Sequence, residues 1–253
     1  MTTLRDITHR LVPDLLSAAA LLTRFPLPDH QGTGAASAWA WPLVGGLIGA
    51  LAALGASVAL ALELTPGVVA AMTLALIAML TGGLHEDGLS DSADGLFGGW
   101  TRERRLEIMK DSRIGSYGML ALMLVALARW SALTTILAHD AQWAALIATG
   151  ALSRAPMAVI MAVLPNARGT GLSHATGRPT VAVVVVGAGS AVVIALILAK
   201  GTAVAMSGLT AAAVVALALS AHRRIGGQTG DILGAAQQLG DAACLAALAA
   251  AVF

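Results

Sequence analysis

The sequence is poor in charge, in aromatic residues and in cysteine. Charged residues make up 11% of the 253 residues, against about 25% in an average soluble domain. The single cysteine, Cys244, excludes a disulfide or a cysteine-based metal site within one chain. With a net charge of +1 and no basic patch interleaved with aromatic residues, we expect no nucleic-acid partner. This composition excludes an ordinary soluble domain.

Apolar residues, 57% of the chain with a mean hydropathy of +0.81, occur in long segments. A helix needs about 20 apolar residues to cross a bilayer. Candidate spans lie at roughly 42–62, 67–84, 117–138, 142–164, 180–199, 202–221 and 232–252. Residues 12–25 are shorter and interrupted by Pro13 and Asp14, which favours an interfacial or re-entrant helix. The predicted fold is an all-α, polytopic helical bundle of about seven transmembrane helices in one membrane domain, residues 1–253.

The distribution of lysine and arginine predicts the orientation. With the N-terminus in the cytoplasm, one cation, Lys200, falls outside. The cations placed inside are Arg5, Arg10, Arg24, Arg102, Arg104, Arg105, Lys110, Arg113, Arg168, Arg178, Arg223 and Arg224. Polar loops at about 81–118, 165–179 and 222–234 then share the cytoplasmic side. We therefore expect the three loops to build one site.

Half of the acidic residues lie in the segment 81–118. Three of them, Asp87, Asp91 and Asp94, follow the spacing i, i+4, i+7, which places their carboxylates on one helix face. Unpaired carboxylates repel one another unless a cation compensates, and Mg²⁺ or Mn²⁺ prefers such oxygen ligands. The pattern predicts a metal site facing substrate phosphates. A solvated acidic face is the alternative that the sequence leaves open.

Other polar residues flank this face. His85 suits a general base, a phosphate donor or a weak metal ligand, and a structural role is equally compatible with its position. Lys110, Asp111 and Arg113 precede a break at Gly115, where basic side chains can bind phosphate oxygens. The segment 102–113 has the pattern of an amphipathic helix whose charges mainly solvate it.

The second and third polar loops add further candidates. Arg168, close to Gly169, can meet a phosphate through its side chain and neighbouring backbone N–H groups. In the third loop, Thr229 and Gly230 are predicted to contact phosphate. Asp231 follows them as a candidate metal ligand and catalytic residue, and a helix N-cap is its alternative role.

Two arginines, Arg129 and Arg154, lie within predicted spans. A charge exposed to lipid is expensive. We therefore expect both to face the bundle interior, and we expect Arg154 to pair with a carboxylate or with an anion of the substrate.

The acidic segment and five other blocks resemble the cobalamin synthase family, the adenosylcobinamide-GDP ribazoletransferases. The blocks, in the family's order, are LLTRFPLP at 21–28, WPLVGGLIGA at 41–50, GGLHEDGLSDSADGLFGG at 82–99, LEIMKDSRIGSYG at 106–118, SRAPM at 153–157 and GGQTGDILGA at 226–235. The resemblance extends over most of the chain. Glu86 stands where an apolar residue is common, and Asp241 where a glutamate is expected.

The resemblance implies a transferase that joins adenosylcobinamide-GDP to α-ribazole, or to its 5′-phosphate, and releases GMP. A ribose hydroxyl attacks the β-phosphorus of a pyrophosphate, a reaction that needs Mg²⁺ or Mn²⁺ and positioned cations. The implied metal ligands and phosphate contacts are Asp87, Asp91, Asp94, Asp231, Lys110, Arg113 and Arg168, with His85 or one aspartate accepting the proton. It also implies a multi-pass protein of the bacterial cytoplasmic (inner) membrane, surrounded by lipid bilayer, with its active site facing the cytoplasm. Self-association, or association with other nucleotide-loop enzymes, fits such a protein.

Two other functions remain open from the residues. Asp91-x-x-Asp94-Gly95 is similar to the start of the CDP-alcohol phosphotransferase motif, but Leu96-Phe97 stands where that motif continues with Ala-Arg. A secondary transporter also carries buried charges. Transporters place their ion sites near the membrane midplane, whereas the acidic residues here cluster at one edge.

Overall fold

The computed structural model describes residues 10–251, and within this range every regular element is a helix. Arg5, used for the orientation, and Val252, the end of the last predicted span, lie outside the described residues. The α-helices are α1 (Leu11–Leu22), α2 (Trp41–Ala61), α3 (Pro66–Thr81), α4 (Leu84–Gly98), α5 (Arg102–Ile108), α6 (Ser116–Leu137), α7 (Gln142–Leu152), α8 (Ala155–Val163), α9 (Leu172–Thr176), α10 (Val181–Ala199), α11 (Thr202–Ile225) and α12 (Gly230–Ala251). A 3-10 helix, Gly34–Ala40, leads into α2.

The described residues contain six helical segments long and apolar enough to cross a membrane. They are Gly34–Ala61, Ser116–Leu137, Gln142–Val163, Val181–Ala199, Thr202–Ile225 and Gly230–Ala251. A seventh crossing requires α3 and α4, which are bent by 92° relative to each other. The prediction of an all-α, polytopic membrane bundle is confirmed.

The bend between α3 and α4 occurs at two glycines. Gly82 and Gly83 have φ angles of 67° and 69°, a left-handed conformation that glycine adopts without a steric penalty. The backbone N–H of Arg24 donates to the carbonyl of Leu80 at 2.8 Å, so the segment after α1 runs beside the end of α3. The 16 residues of α3 rise about 24 Å, most of a bilayer core. We therefore treat α3 as a crossing and α4 as a helix lying across one end of the bundle.

The predicted span 142–164 is two helices, α7 and α8, separated at Ser153 and Arg154. Pro156 in the first turn of α8 has no N–H to donate, which suits a helix start there. The Arg154 side chain is 1% exposed and donates to the carbonyl of Gly150 at 3.0 Å. Arg154 therefore faces the bundle interior as predicted, although its hydrogen bond goes to a carbonyl rather than to a carboxylate.

Arg129 of α6 ties α4 and α12 together inside the bundle. Its Nε donates to Asp241 Oδ2 at 2.8 Å and its Nη1 to Gln238 Oε1 at 2.6 Å. The amide of Gln238 in turn donates to Glu86 Oε1 of α4 at 2.9 Å. A buried charge needs partners, and this network supplies them for Nε and Nη1, while Nη2 has no hydrogen-bond partner among residues 10–251. The network also fixes the position of α4 against two spanning helices.

Candidate active site

The acidic helix α4 crosses α12 at a contact between two glycines. A Cβ added at Gly88 would lie 2.9 Å from the carbonyl oxygen of Asp231, and one at Gly234 would lie 3.1 Å from the Gly88 Cα. Small residues allow two helix backbones to approach closely. This crossing brings Asp231, at the start of α12, beside the aspartate face of α4.

Asp87 and Asp91 form the open part of that face. Asp87 is exposed and Asp91 is half-buried. Desolvation raises the pKa of Asp91 to about 7, and the negative charges of Asp87 and Asp231 contribute in the same direction. The protein thus holds a group of carboxylates whose mutual repulsion is not fully compensated by its own cations.

Asp94, the third aspartate of the face, is buried and already engaged. Its Oδ2 accepts the Gly115 N–H at 2.7 Å, and its Oδ1 accepts the Gly118 N–H at 2.9 Å. A Cβ added at either glycine would overlap the Asp94 carboxylate. Asp94 therefore satisfies N–H groups at the start of α6, which no helical carbonyl can reach. That Asp94 binds metal stays a prediction.

A cleft of about 710 Å³ opens between α4 and the loop that leads into α6. The charged residues that line it are Arg24, Glu86, Asp87, Asp91, Lys110, Asp111 and Arg113. The cleft thus places carboxylates and cations around one space, as a phosphate site with a metal requires. The sequence interpretation missed Arg24, which it counted only for orientation; its signal is the position of Arg24 in a family block.

Within the cleft, Arg113 and Asp111 form an exposed ion pair, with 2.7 Å between Nη2 and Oδ2. The hydrogen bonds from Arg113 lower the pKa of Asp111 to about 2. Asp111 therefore remains ionised at neutral pH and orients the Arg113 guanidinium. Lys110 is exposed at the same rim.

A second cavity, which we call the chamber, holds about 150 Å³ and shares Leu84 and Asp87 with the cleft. At its polar side Arg168 contacts Asp231, with 2.7 Å between Nη2 and Oδ2. Gly230 also lines the chamber. Thr229 lies just behind, where its hydroxyl accepts the Ile232 N–H at 3.4 Å as a cap of α12.

His85 borders the chamber and is 2% exposed. Burial lowers the pKa of His85 well below its usual value, and the charges of Arg154 and Arg129 lower it further. The imidazole is therefore neutral at pH 7. Its Nε2 has no hydrogen-bond partner within residues 10–251.

Arginines outside the predicted site hold the three polar loops together. Arg102 donates to the carbonyls of Ile225 at 2.9 Å and Ala167 at 2.7 Å. Arg224 donates to the Leu96 carbonyl at 2.7 Å, and Arg105 donates to the Arg224 carbonyl at 3.2 Å. The interpretation of Arg102 and Arg105 as merely solvating charges is wrong, because their partners are carbonyls on loops distant in sequence.

The second and third loops also pair through their backbones. Asn166 and Gln228 form a parallel bridge. The Ala167 N–H donates to the Gln228 carbonyl, and the Gln228 N–H to the Pro165 carbonyl, both at 2.8 Å. The three polar loops therefore contact one another at one end of the bundle, and their building of one cytoplasmic site stays a prediction.

Three predicted site residues line neither cavity: Asp94, Arg154 and Thr229. Arg154 lies deeper, beside a very small internal cavity that it shares with Asp241. In the part of the chain that the structure describes, no three acidic, histidine or cysteine side chains are close enough together to hold a metal by themselves.

The fold and the site together define a class of protein. It is a polytopic helical membrane protein with a cleft at one end that is lined by carboxylates and cationic side chains. A family model described as cobalamin-5-phosphate synthase matches residues 14–249. The chain belongs to this family, which confirms the resemblance seen in its sequence blocks. No solved structure matches the chain significantly.

The relatives include three curated proteins named adenosylcobinamide-GDP ribazoletransferase. The one from Bradyrhizobium diazoefficiens is 43% identical over 250 residues, which cover 97% of this chain and 96% of the relative. The one from Mesorhizobium japonicum is 41% identical over 243 residues, which cover 94% of this chain and 93% of the relative. The one from Brucella ovis is 40% identical over 255 residues, which cover 96% of this chain and 98% of the relative. The similarity therefore extends over nearly the whole of each protein.

Proposed function

We propose that the chain is a membrane adenosylcobinamide-GDP ribazoletransferase. It would join adenosylcobinamide-GDP to α-ribazole, or to its 5′-phosphate, with release of GMP. The observation that carries this assignment to the site is the cleft, where Asp87 and Asp91 face Arg24, Lys110 and Arg113. The names of the full-length relatives support the reaction. Family membership favours it over a CDP-alcohol phosphotransferase or a transporter.

The carboxylates of the cleft fit Mg²⁺. The raised pKa of Asp91 reflects desolvation first and then the neighbouring carboxylates of Asp87 and Asp231, whose repulsion a cation would compensate. Mg²⁺ is usually held by one or two carboxylates together with substrate phosphates, and Asp87 and Asp91 line the same wall of the cleft. These two residues would hold the ion, or Mn²⁺ in its place. When bound, Mg²⁺ would neutralise charge on the pyrophosphate oxygens.

The residues of the chain then divide the remaining work. Arg24, Lys110 and Arg113 bind the pyrophosphate of the donor in the cleft. A ribose hydroxyl attacks the β-phosphorus, a new P–O bond forms, and the P–O bond to GMP breaks. Asp231, oriented by Arg168, lies in the chamber on the acceptor side and accepts the hydroxyl proton.

His85 has a positioning role in this scheme. Its Nε2 has less than 1 Å² of exposed surface, so this nitrogen cannot reach a substrate without a movement of the helix. The low pKa of the imidazole keeps it uncharged next to Arg154 and Arg129.

The reaction is tested by measuring both products. Purified protein in detergent is incubated with adenosylcobinamide-GDP, α-ribazole and Mg²⁺, and GMP and cobamide are quantified together. We expect equal amounts of the two, and neither product when α-ribazole is omitted. GMP without cobamide would indicate a hydrolase, and the absence of both products would overturn the proposal.

We also propose that the site faces the cytoplasm of a bacterial cytoplasmic membrane, as the cation distribution predicts. In a Cys244→Ala background, cysteines at the exposed positions Thr101, Gly177 and Arg223 should react with an impermeant reagent only from the cytoplasmic side. A cysteine at Lys200 is the control and should react only from outside. The reverse pattern would invert the orientation. Association with itself or with other enzymes stays a prediction.

A further inference from the structure

We infer that the chamber binds the aromatic base of the acceptor nucleoside, while the ribose remains at its polar side. This inference rests on the proposed function, because that function supplies the acceptor. The buried or partly buried apolar side chains that line the chamber include Leu21, Leu22, Trp41, Met157, Met161 and Leu233. The chamber is also lined by polar residues, among them Asp87, Arg168 and Asp231. In this inference they contact the ribose.

The chamber has room for an aromatic ring. A cavity of about 150 Å³ lined by apolar side chains is known to bind an aromatic molecule the size of benzene. The chamber has about the same volume, 150 Å³. Asp87 lines both the chamber and the cleft, so the two cavities adjoin each other there. A base that enters here therefore leaves its ribose hydroxyls next to Asp87 and Asp231.

These features favour the acceptor base over the guanine of the donor. A guanine brings a keto oxygen, an exocyclic amine and a ring N–H that each need a partner when buried. A dimethylbenzimidazole brings two methyl groups and one acceptor. Apolar leucine and methionine side chains suit the latter. The cleft, with its cations, is left for the donor.

The inference is tested first with wild-type protein. Dissociation constants are measured by equilibrium dialysis, without donor, for the α-ribosides of dimethylbenzimidazole, benzimidazole and adenine. Two buried methyl groups correspond to roughly 15-fold in affinity, so we expect benzimidazole to bind that much more weakly, and adenine more weakly still. Adenine binding as tightly as dimethylbenzimidazole would overturn the inference.

Matched variants then locate the site. Leu21→Trp fills the chamber from a partly buried position, whereas Leu122→Trp makes the same change at a partly buried position of the cleft. We expect Leu21→Trp to raise the KM for α-ribazole at least about 10-fold, with the KM for adenosylcobinamide-GDP within 2-fold of wild type. Leu122→Trp should leave the α-ribazole KM unchanged. If Leu122→Trp raised the KM for α-ribazole and Leu21→Trp did not, the assignment of the base to the chamber would be contradicted.

A second variant tests the chamber even if the Leu21→Trp protein misfolds. Leu172 lines the chamber and is 54% exposed, so Leu172→Trp should not disturb the core. It should also raise the α-ribazole KM. If wild-type protein forms cobamide and neither tryptophan changes α-ribazole binding, the chamber assignment fails while the proposed function stands. If wild-type protein forms no cobamide, the proposed function itself fails.

Discussion

The two ends of the aspartate face on α4 carry the same residue type in different surroundings. At one end, Asp87 and Asp91 line an open cleft and repel each other. At the other end, Asp94 is buried and accepts two backbone N–H groups from the start of α6. In the proposed function the open end binds a cation, whereas the carboxylate at the other end is already hydrogen-bonded within the protein.

In the proposed function, a single helix face thus carries both a binding site and a contact that stabilises the fold. Asp94 anchors the loop that carries Lys110 and Arg113, because its hydrogen bonds fix the backbone at Gly115 and Gly118. The cleft exists between that loop and the first half of α4. Asp94 therefore positions the loop whose cations, in the proposed function, bind the substrate together with Asp87 and Asp91.

The largest expected effect is on catalysis at the open end. Asp91→Asn keeps the size of the side chain but removes a charge that would hold the metal. We expect kcat for GMP release to fall about 10²-fold or more, since several kcal/mol of transition-state stabilisation depend on the ion. Initial rates are measured at saturating substrates across a Mg²⁺ series.

The matched control is Asp140→Asn, an exposed aspartate in the connector between α6 and α7. It makes the same chemical change without facing the cleft, so its kcat should equal that of wild type. If a folded Asp91→Asn protein turned over as fast as the Asp140→Asn control, the open end would be a solvated acidic surface.

A smaller effect is expected on stability at the closed end. Asp94→Asn replaces one acceptor oxygen by an NH₂ group that faces a backbone N–H. Leaving a buried donor unsatisfied costs roughly 1–3 kcal/mol, which corresponds to a fall in Tm of about 2–12 °C for a chain of this size. Thermal unfolding is followed in detergent, and Asp87→Asn serves as the comparison. An unchanged Tm for Asp94→Asn would mean that the carboxylate does not anchor α6.

The open end is also expected to make stability depend on pH. The pKa of Asp91 is raised from 3.8 to about 7 in the folded protein. Between these values the folded state keeps a proton that the unfolded state has lost, so stability falls as pH rises through this window. The Tm of metal-free protein should therefore decrease from pH 4 to pH 7 more steeply than that of Asp91→Asn. Equal slopes would contradict the raised pKa.

The sequence predicted much of this molecule because membrane helices depend on composition and length. Each predicted span corresponds to a helix or a helix pair, although 67–84 ends early at the paired glycines and 142–164 breaks at Arg154. The spacing of the aspartates also placed them correctly on one face of α4. These features are local, so periodicity and glycine content were sufficient to predict them.

What the sequence could not predict depends on contacts between distant segments. The hydrogen bonds of Asp94 to Gly115 and Gly118, the entry of Arg24 into the cleft and the carbonyl partners of Arg102 join residues far apart in the chain. Their local patterns are those of ordinary charged residues. The chamber is likewise lined by residues from several helices, so no single segment of the sequence predicts it.

The most direct test of the division along α4 is metal binding itself. Mn²⁺ binding to wild-type, Asp91→Asn and Asp94→Asn proteins is measured by electron paramagnetic resonance in detergent, at a temperature where all three are folded. We predict that Asp91→Asn weakens Mn²⁺ binding about 10-fold or more, since a ligand is lost, and that Asp94→Asn leaves it within 2-fold of wild type. Equal weakening in both variants, or none in Asp91→Asn, would contradict the account.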